Sequence, residues 1–509
     1  MMKKIQSAAL TLAAALVCAL PGYARPGREA SAPAHPPAHI AGGEIRYGFS
    51  TEPATLDPLS PANTADGRSI LFNVFEGLVR PLPDGGLEAA VAETYRIEQN
   101  GRVYVFTLRR GLKFHDGTAV KAEDVEFTLN EAVRAGFSGF TQIEKVEVTP
   151  EGEIRITLKT PDPEFLPYLT IGVVPKNNAD REKNPIGTGP FSIQNYTVQR
   201  SLTLVKNPDY WRPGTPSLDK VTVVFVADSN ALLLALQGGS IDGATITGGL
   251  LQQLPAGRFD IVPSPSNAVQ LLALNNAVKP LDDRRVRQAI NYAVDVPEII
   301  AAAFYGRGEP SGSPLIPGLS RYYEPSLANP YPADIPRARR LLSEAGYPQG
   351  FSLEITVPSN YTMHVDTAQV VVNQLRNAGI SATIRLVDWA AWLSEVYRGR
   401  QYQATIISLD AGNVSPRGFL SRYRSDGGGN FINFKSPDFD RLYDAAQIEI
   451  DEAKRLGLYR EAQRIVSEHA ASVYIQDIWG FQVFPRGRYG GVVNYPLYAV
   501  DFSTMFRTE

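Results

Sequence analysis

The chain has 509 residues, 44% of them hydrophobic and 20% charged, with a formal net charge of −3. That is an ordinary globular mix, enough for about two to three domains with a sizeable core. It excludes a membrane-embedded protein, and the absence of any long basic run excludes binding to nucleic acid by charge. At the N-terminus, Lys3-Lys4 forms a positive region, and Ala8 to Leu20 is an apolar run too short to span a bilayer. Gly22-Tyr23-Ala24 then offers the small residues a signal peptidase needs, which predicts a signal peptide over 1–24 with cleavage after Ala24. Losing Lys3 and Lys4 with the leader takes the formal charge from −3 to −5. Cys18, the only cysteine, would go with it, leaving no disulfide. A lipoprotein reading would keep Cys18 as the lipid-bearing first residue, but Val17 stands where that cleavage wants a small residue.

Residues 25–42 are rich in Pro and Ala without apolar period, so they read as a solvated tether. His35 and His39 lie in it, four apart, but a flexible arm gives a metal no preorganised geometry. Gly43 to Phe49 is the first predicted strand. Val103 to Leu108 alternates, with Tyr104, Phe106 and Leu108 on one face, and reads as a half-buried strand. Leu112 to Phe114 reads as a second, His115-Asp116-Gly117 as a tight turn, and Glu123-Asp124 as the acidic first turn of a helix. Strands follow at Ile154 to Leu158 and Val221 to Val226, and a short helix at Ala231 to Leu236 is stopped by Gly238-Gly239.

In the second half, Ile335 to Ala345 and Val365 to Ala378 read as helices, with strands at Ser381 to Val387 and Thr405 to Leu409. Glu452 to Ala470 is an amphipathic helix with Leu456, Tyr459, Gln463 and Val466 near one face and Asp451 as N-cap. No repeat of 20 to 50 residues is present.

Catalytic motifs are missing: there is no GxSxG, no HExxH and no Walker-type phosphate loop. Gly187-Thr188-Gly189-Pro190 reads as a turn, because Pro190 removes an amide donor and no GK follows. Beyond the tether the histidines are His115 in its turn, His469 near a helix end, and His364, read as a cap or surface residue just before a helix.

The segment Gly101 to Asn130, GRVYVFTLRRGLKFHDGTAVKAEDVEFTLN, resembles the signature of the bacterial extracellular solute-binding proteins of the peptide/nickel class, family 5, the receptors of ABC importers. Similar pieces recur in order: STEPATLDP (Ser50 to Pro58), VFEGLV (Val74 to Val79), PIGTGPFSI (Pro185 to Ile193), NPDYW (Asn207 to Trp211), LDDRRVRQAINYAVD (Leu281 to Asp295), RARRLLSEAGYPQGF (Arg337 to Phe351), NFINFKSPDFDRL (Asn430 to Leu442) and LYREAQRIV (Leu458 to Val466). The resemblance implies an α/β, two-lobed periplasmic-binding-protein fold with a hinge and an extra domain in the N-terminal half. Lobe I would combine 43–71, 180–265 and 484–509, the extra domain 72–179, and lobe II 266–483. Hinge strands would cross near Pro263-Ser264-Pro265 and Val483 to Arg486.

The same resemblance implies a monomeric periplasmic receptor, with no catalytic residue, cofactor or resident metal. It would capture a small peptide-like ligand and hand it to ABC transporter permease subunits. Peptide-binding relatives hold the ligand's amine with an Asp four residues before a Pro. Here that position is Gly412, and Asp410, where the strand Thr405 to Leu409 ends, is the nearest carboxylate. It reads either as a ligand counter-ion or as an Asx-turn that shapes the loop. The Arg that clamps a dipeptide carboxylate is replaced by Val365 or Asp366, which speaks against a strict dipeptide receptor, and Arg417 could compensate. Trp389 matches a pocket Trp, Asp388 would cap its helix, and Trp392 shares the face. Phe49, Thr51 and Thr55 match a segment bordering the ligand, and Tyr361 falls in the loop before the helix lacking the Arg. Alternatives are a nickel- or metal-chelate receptor using His364, disfavoured because the segment after the Pro loop has no His, and a sensory or chaperone-like peptide binder.

Overall fold

A computed structural model of the chain describes residues 39–411, 413–497 and 499–508; the leader, Cys18, the cleavage position after Ala24, His35 and Gly412 lie outside the described residues. One mixed sheet runs through the body. Its strands follow the order Ser381–Val387, Ser352–Pro358, Ala404–Asp410, Phe259–Leu274, Ser472–Pro485, Gly243–Thr247, Glu44–Phe49, Lys220–Phe225, Ser201–Lys206 and Phe191–Thr197. The two central strands, of 16 and 14 residues, pair antiparallel and belong to both ends of the sheet.

Their pairing is interrupted. The register jumps from Pro265 opposite Trp479 to Val269 opposite Asp477, so that residues 266–268 face the single residue Ile478. A bulge of this kind leaves residues unpaired and bends the strand. The neighbours change there too. On one side Gly243–Thr247 pairs with the stretch from Gly480 to Val483, and on the other Ala404–Asp410 pairs with Ala268 to Leu274. On the second strand the break thus falls upstream of the crossing expected at Val483 to Arg486.

The first half carries a separate antiparallel sheet in the order Ala92–Glu98, Val103–Leu108, Ile154–Leu158, Ile143–Val148. Its strand Val103–Leu108 is buried on both faces over its first four residues, not half-buried. Tyr104 and Phe106 pack with Val125 and Leu129 of the helix Ala122–Arg134. Leu112 to Phe114 forms no strand; one bridge, Lys113 to Ala119, closes a turn in which Gly117 takes φ +82°. The helix then starts where Asp124 accepts the Lys121 and Lys176 backbone N–H groups, each at 2.9 Å.

Elsewhere local chemistry sets the elements. Asp283 caps the helix Arg284–Ala293, whose Val286, Ala289, Ile290 and Ala293 form a buried stripe at helical spacing. Asp451 accepts the Lys454 N–H at 3.0 Å and caps Glu452–Glu468, but that helix buries Arg455, Tyr459, Ala462, Gln463 and Val466 while Leu456 stays half-exposed. The end of the expected tether is held to the body. Ile40 and Gly42 donate to the Arg507 and Ser217 carbonyls, and His39 Nε2 lies 2.9 Å from Ser217 Oγ.

The segment Asn73 to Gly77 runs so close to other backbone that no side chain fits at Gly77 or at the facing Gly187. A Cβ on Gly77 would sit 2.3 Å from the Leu169 carbonyl oxygen, and one on Gly187 would sit 2.1 Å from that of Val74. His115 secures the second contact, accepting the Gly187 N–H at its Nδ1 (3.2 Å) while its Nε2 meets the Gly189 carbonyl (3.0 Å). Gly77→Ala must push two backbone segments away from each other, at a cost of about 1–3 kcal/mol. A lower urea midpoint at unchanged slope is the expected result, and an unchanged midpoint would show that the contact yields freely.

Candidate ligand-binding site

A cavity of about 600 Å³ opens where stretches from distant parts of the chain meet. Pro58, Ser60 and Asn63 come from the loop after the first strand, and Arg68, Leu71 and Phe72 from the helix Ala65–Leu71 and its end. Phe137 and Phe140 follow the helix Ala122–Arg134, while Tyr168 and Thr170 belong to the turn Leu166–Thr170. Ala411, Asn413 and Val414 enter from the loop after Ala404–Asp410, and Leu497, Asp501 and Ser503 from the C-terminal segment. The volume suits a small organic solute, and the wall is largely aromatic and aliphatic.

The polar part of the wall is a closed ion cluster. Arg80 donates to Asp501 at 3.1 Å and lies 3.6 Å from Glu76. Glu76 also accepts from Tyr210 Oη at 2.7 Å and Trp211 Nε1 at 2.8 Å. Asp501 accepts from Tyr495 Oη at 2.7 Å and from the Ser503 N–H at 2.9 Å. Burial pushes the Glu76 carboxyl above its ordinary range, with Arg80 pulling it back. Burial also opposes the Arg80 charge, but Asp501, Tyr210 and Glu76 outweigh it and leave Arg80 firmly protonated. Arg68 differs: it is exposed, donates to the Asn63 carbonyl at 2.9 Å, and makes no ion pair among the described residues.

Asp410 ends its strand beside this wall with an exposed side chain, while its carbonyl accepts from Arg422 at 2.7 Å. The lining residues of that loop are its successors, not Asp410 itself. Arg417 is drawn the other way. Both its terminal nitrogens meet Asp162 at 2.7 Å, and Glu164 lies 3.6 Å from Nε, so the guanidinium expected to compensate for a missing carboxylate clamp is engaged inside the protein. Phe49 is core, 5.3 Å from the ring of Tyr47. Thr55 donates to Glu182 and is buried, and Thr51 is exposed; none of the three lines the cavity.

Tyr361, Trp389 and Trp392 do come together. Trp389 stacks on Trp392 at 5.0 Å with the planes 4° apart, and Tyr361 meets Trp389 edge-on at 5.5 Å. Asp388 caps the turn by accepting the Ala391 N–H at 2.8 Å, and Trp392 opens a π-helical stretch to Arg398. Trp392 is 2% exposed and donates to Thr405 Oγ1, whereas Trp389 is 38% exposed. This aromatic shelf lies outside the cavity wall. The helix beside it begins at Thr362, three residues earlier than expected, which places His364 inside it and 2% exposed. Gln270 bridges His364 Nδ1 at 3.1 Å and Thr367 Oγ1 at 3.0 Å, so His364 is neither a surface cap nor open to a metal chelate. Sequence reasoning missed Arg68, Phe72, Phe137, Tyr168 and Asp501 as wall residues. Only the VFEGLV segment, next to Phe72, carried a signal, and it read as a family mark alone.

The family model for bacterial extracellular solute-binding proteins, family 5, matches residues 86–431. The chain belongs to that family. The glutathione-binding protein GsiB of Salmonella choleraesuis is 28% identical over 480 residues, covering 88% of this chain and 93% of the relative. The periplasmic binding protein DppA of Helicobacter pylori in complex with peptide STSA is 25% identical, with a TM-score of 0.72 over 92% of this chain and 99% of that one. The ABC transporter substrate-binding protein CtaP of Listeria monocytogenes is 26% identical, with a TM-score of 0.81 over 92% and 100%. This family 5 protein is therefore a two-lobed α/β substrate-binding protein of ABC importers that binds small ligands and works with permease subunits; it is not an enzyme. Among the described residues no helix is long and apolar enough to cross a membrane.

His364 makes the fold of this family 5 protein sensitive to acid. Burial lowers its pKa from 6.5 to about 4, so between those values the unfolded chain binds a proton that the folded protein refuses. Its contribution is complete above pH 6.5 and is lost as pH falls toward 4. By pH 4.5 the loss is roughly 2–3 kcal/mol, at about 1.4 kcal/mol per unit. Glu76, with its raised pKa, pulls in the opposite direction, so the comparison is made between proteins: His364→Gln should lose less stability than wild type between pH 7 and 4.5 in urea titrations. Parallel curves would mean that His364 takes up its proton in the fold as readily as in the unfolded chain.

Proposed function

We propose that this protein captures a small peptide-like solute in the periplasm, encloses it in the 600 Å³ cavity and delivers it to a membrane permease. The observation that carries the reading is the composition of that wall. Phe72, Phe137, Phe140 and Tyr168 offer side-chain surfaces, while loop backbone and short polar side chains offer hydrogen bonds, directly or through water. Glutathione is itself a small peptide, and a relative named for binding it covers most of the chain. The peptide held by DppA belongs to the same chemistry.

In this reading lobe I comprises 43–71, 180–265 and 484–509, the extra domain 72–179, and lobe II 266–483. The break at residues 266–268 and Ile478 is the hinge. Ligand that touches the loop 411–414 and the opposite wall at once shifts the population toward the closed form.

The test is calorimetry against a panel of di-, tri- and tetrapeptides, glutathione and a nickel–histidine chelate. At least one peptide should bind near micromolar Kd, about −8 kcal/mol, and should shrink the radius of gyration in small-angle scattering. Phe137→Ala should weaken that peptide about tenfold, or about 1.4 kcal/mol. Binding of the chelate alone, or of nothing in the panel, would count against the proposal.

A further inference from the structure

The four charged side chains in the cavity wall are Arg68, Arg80, Glu76 and Asp501. Three are committed to one another. Each oxygen of Glu76 accepts from an aromatic donor, Tyr210 or Trp211, with Arg80 beside it. Asp501 Oδ2 takes Arg80 and Tyr495, and Oδ1 takes the Ser503 N–H and hydroxyl. All three are at most 6% exposed. An arriving ammonium meets no carboxylate free to receive it, and opening the cluster would strand a buried charge. Asp410 is not among the lining residues, and the position four before Pro416 is Gly412.

Arg68 stands at the same wall in the opposite condition. Its Nη1 is turned to the Asn63 carbonyl, and it makes no ion pair among the described residues. A guanidinium keeps its charge at any working pH and presents a planar fork of donors that matches a carboxylate. Phe72, Leu71 and Phe137 supply apolar surface in the same cavity.

We propose that the ligand is an amphipathic carboxylic acid whose carboxylate is held by Arg68, and that a free amine is not a recognition element. This rests on the peptide-like reading and narrows it. N-acylated or otherwise amine-blocked peptides are then ligands as good as free ones, whereas peptides with a blocked C-terminus are excluded. Selectivity comes from where an uncompensated charge is available: among the described residues the wall offers one open cation and no open anion.

A randomised tripeptide library in three forms, free, N-acetylated and C-amidated, is equilibrated with the full-length exported protein, and the retained peptides are quantified by mass spectrometry. The free and acetylated libraries should be retained to within about threefold of each other, and the amidated one about thirtyfold less, as expected when enclosure of the ligand buries the Arg68–carboxylate pair and amidation removes one partner. Arg68→Gln should lose the difference between free and amidated forms, and Arg68→Lys should keep part of it, having charge without the fork. Because Arg68 is exposed, both variants should melt with wild type. The wild-type comparison of the three libraries needs no variant at all. Failure to retain any library overturns the peptide-like reading and this inference with it. Retention of the free library with equal retention of the amidated one, or loss on acetylation, overturns the inference alone, and the second result would set the ligand's ammonium against Asp410.

Discussion

Everything in this molecule hangs on one pair of antiparallel strands, Phe259–Leu274 and Ser472–Pro485. A strand of that length would normally stiffen a domain, because its backbone groups must all find ladder partners. Here the ladder is broken in the middle, where residues 266–268 face Ile478, and slips once more between Gln270, opposite Gln476, and Leu271, opposite Tyr474. Each end acquires its own outer neighbour, Gly243–Thr247 on one side and Ala404–Asp410 on the other. The chain thereby joins two α/β halves through a single sheet while confining the weak point to a few residues.

The cavity depends on a second constraint, the close backbone packing of Asn73 to Gly77 against the segments around Leu169 and Gly189. Gly189 donates to the Val74 carbonyl at 2.9 Å, Val173 to that of Glu76 at 2.9 Å, and Phe191 to that of Asn73 at 3.0 Å. These bonds bring loops from distant parts of the sequence into one wall and fix the position of Glu76. Glu76 in turn fixes Arg80, Tyr210 and Trp211. Burying such charges stabilises little in itself, since desolvation offsets most of the attraction, but removing one partner is costly. The cluster holds the wall's shape and keeps its own carboxylates out of ligand chemistry.

The strands and helices were legible because they follow local rules: Ser381–Val387 and Ile154–Leu158 begin and end where the sequence pattern places them. Errors arose where tertiary contact overrides local pattern. His364 looked like a surface cap until Gln270, 94 residues away, claimed it inside the helix. Arg417 looked free until Asp162, 255 residues away, took both its terminal nitrogens. The aromatic shelf of Tyr361, Trp389 and Trp392 could be assembled from spacing and resemblance, because its members lie close in sequence. The cavity could not, since its wall draws on residues from Pro58 to Ser503 and most of them carry no motif of their own.

Arg417 shows how such a distant pairing bears on function. It follows the loop whose Ala411, Asn413 and Val414 line the cavity, and its backbone N–H is held by Ser415 Oγ at 3.2 Å. Its partner Asp162 is adjacent to the opposite wall, because the turn Leu166–Thr170 that carries Tyr168 begins four residues later. Glu164 extends the connection by accepting from Tyr459, with Arg455 at 3.9 Å. Burial opposes the Arg417 charge, but the bonds to Asp162 more than restore it. Asp162 and Glu164 are at most 5% exposed, so little screening weakens the attraction. The strap therefore joins the loop and the facing aromatic wall directly. Separating the loop from that wall would part the strap and strand buried charges.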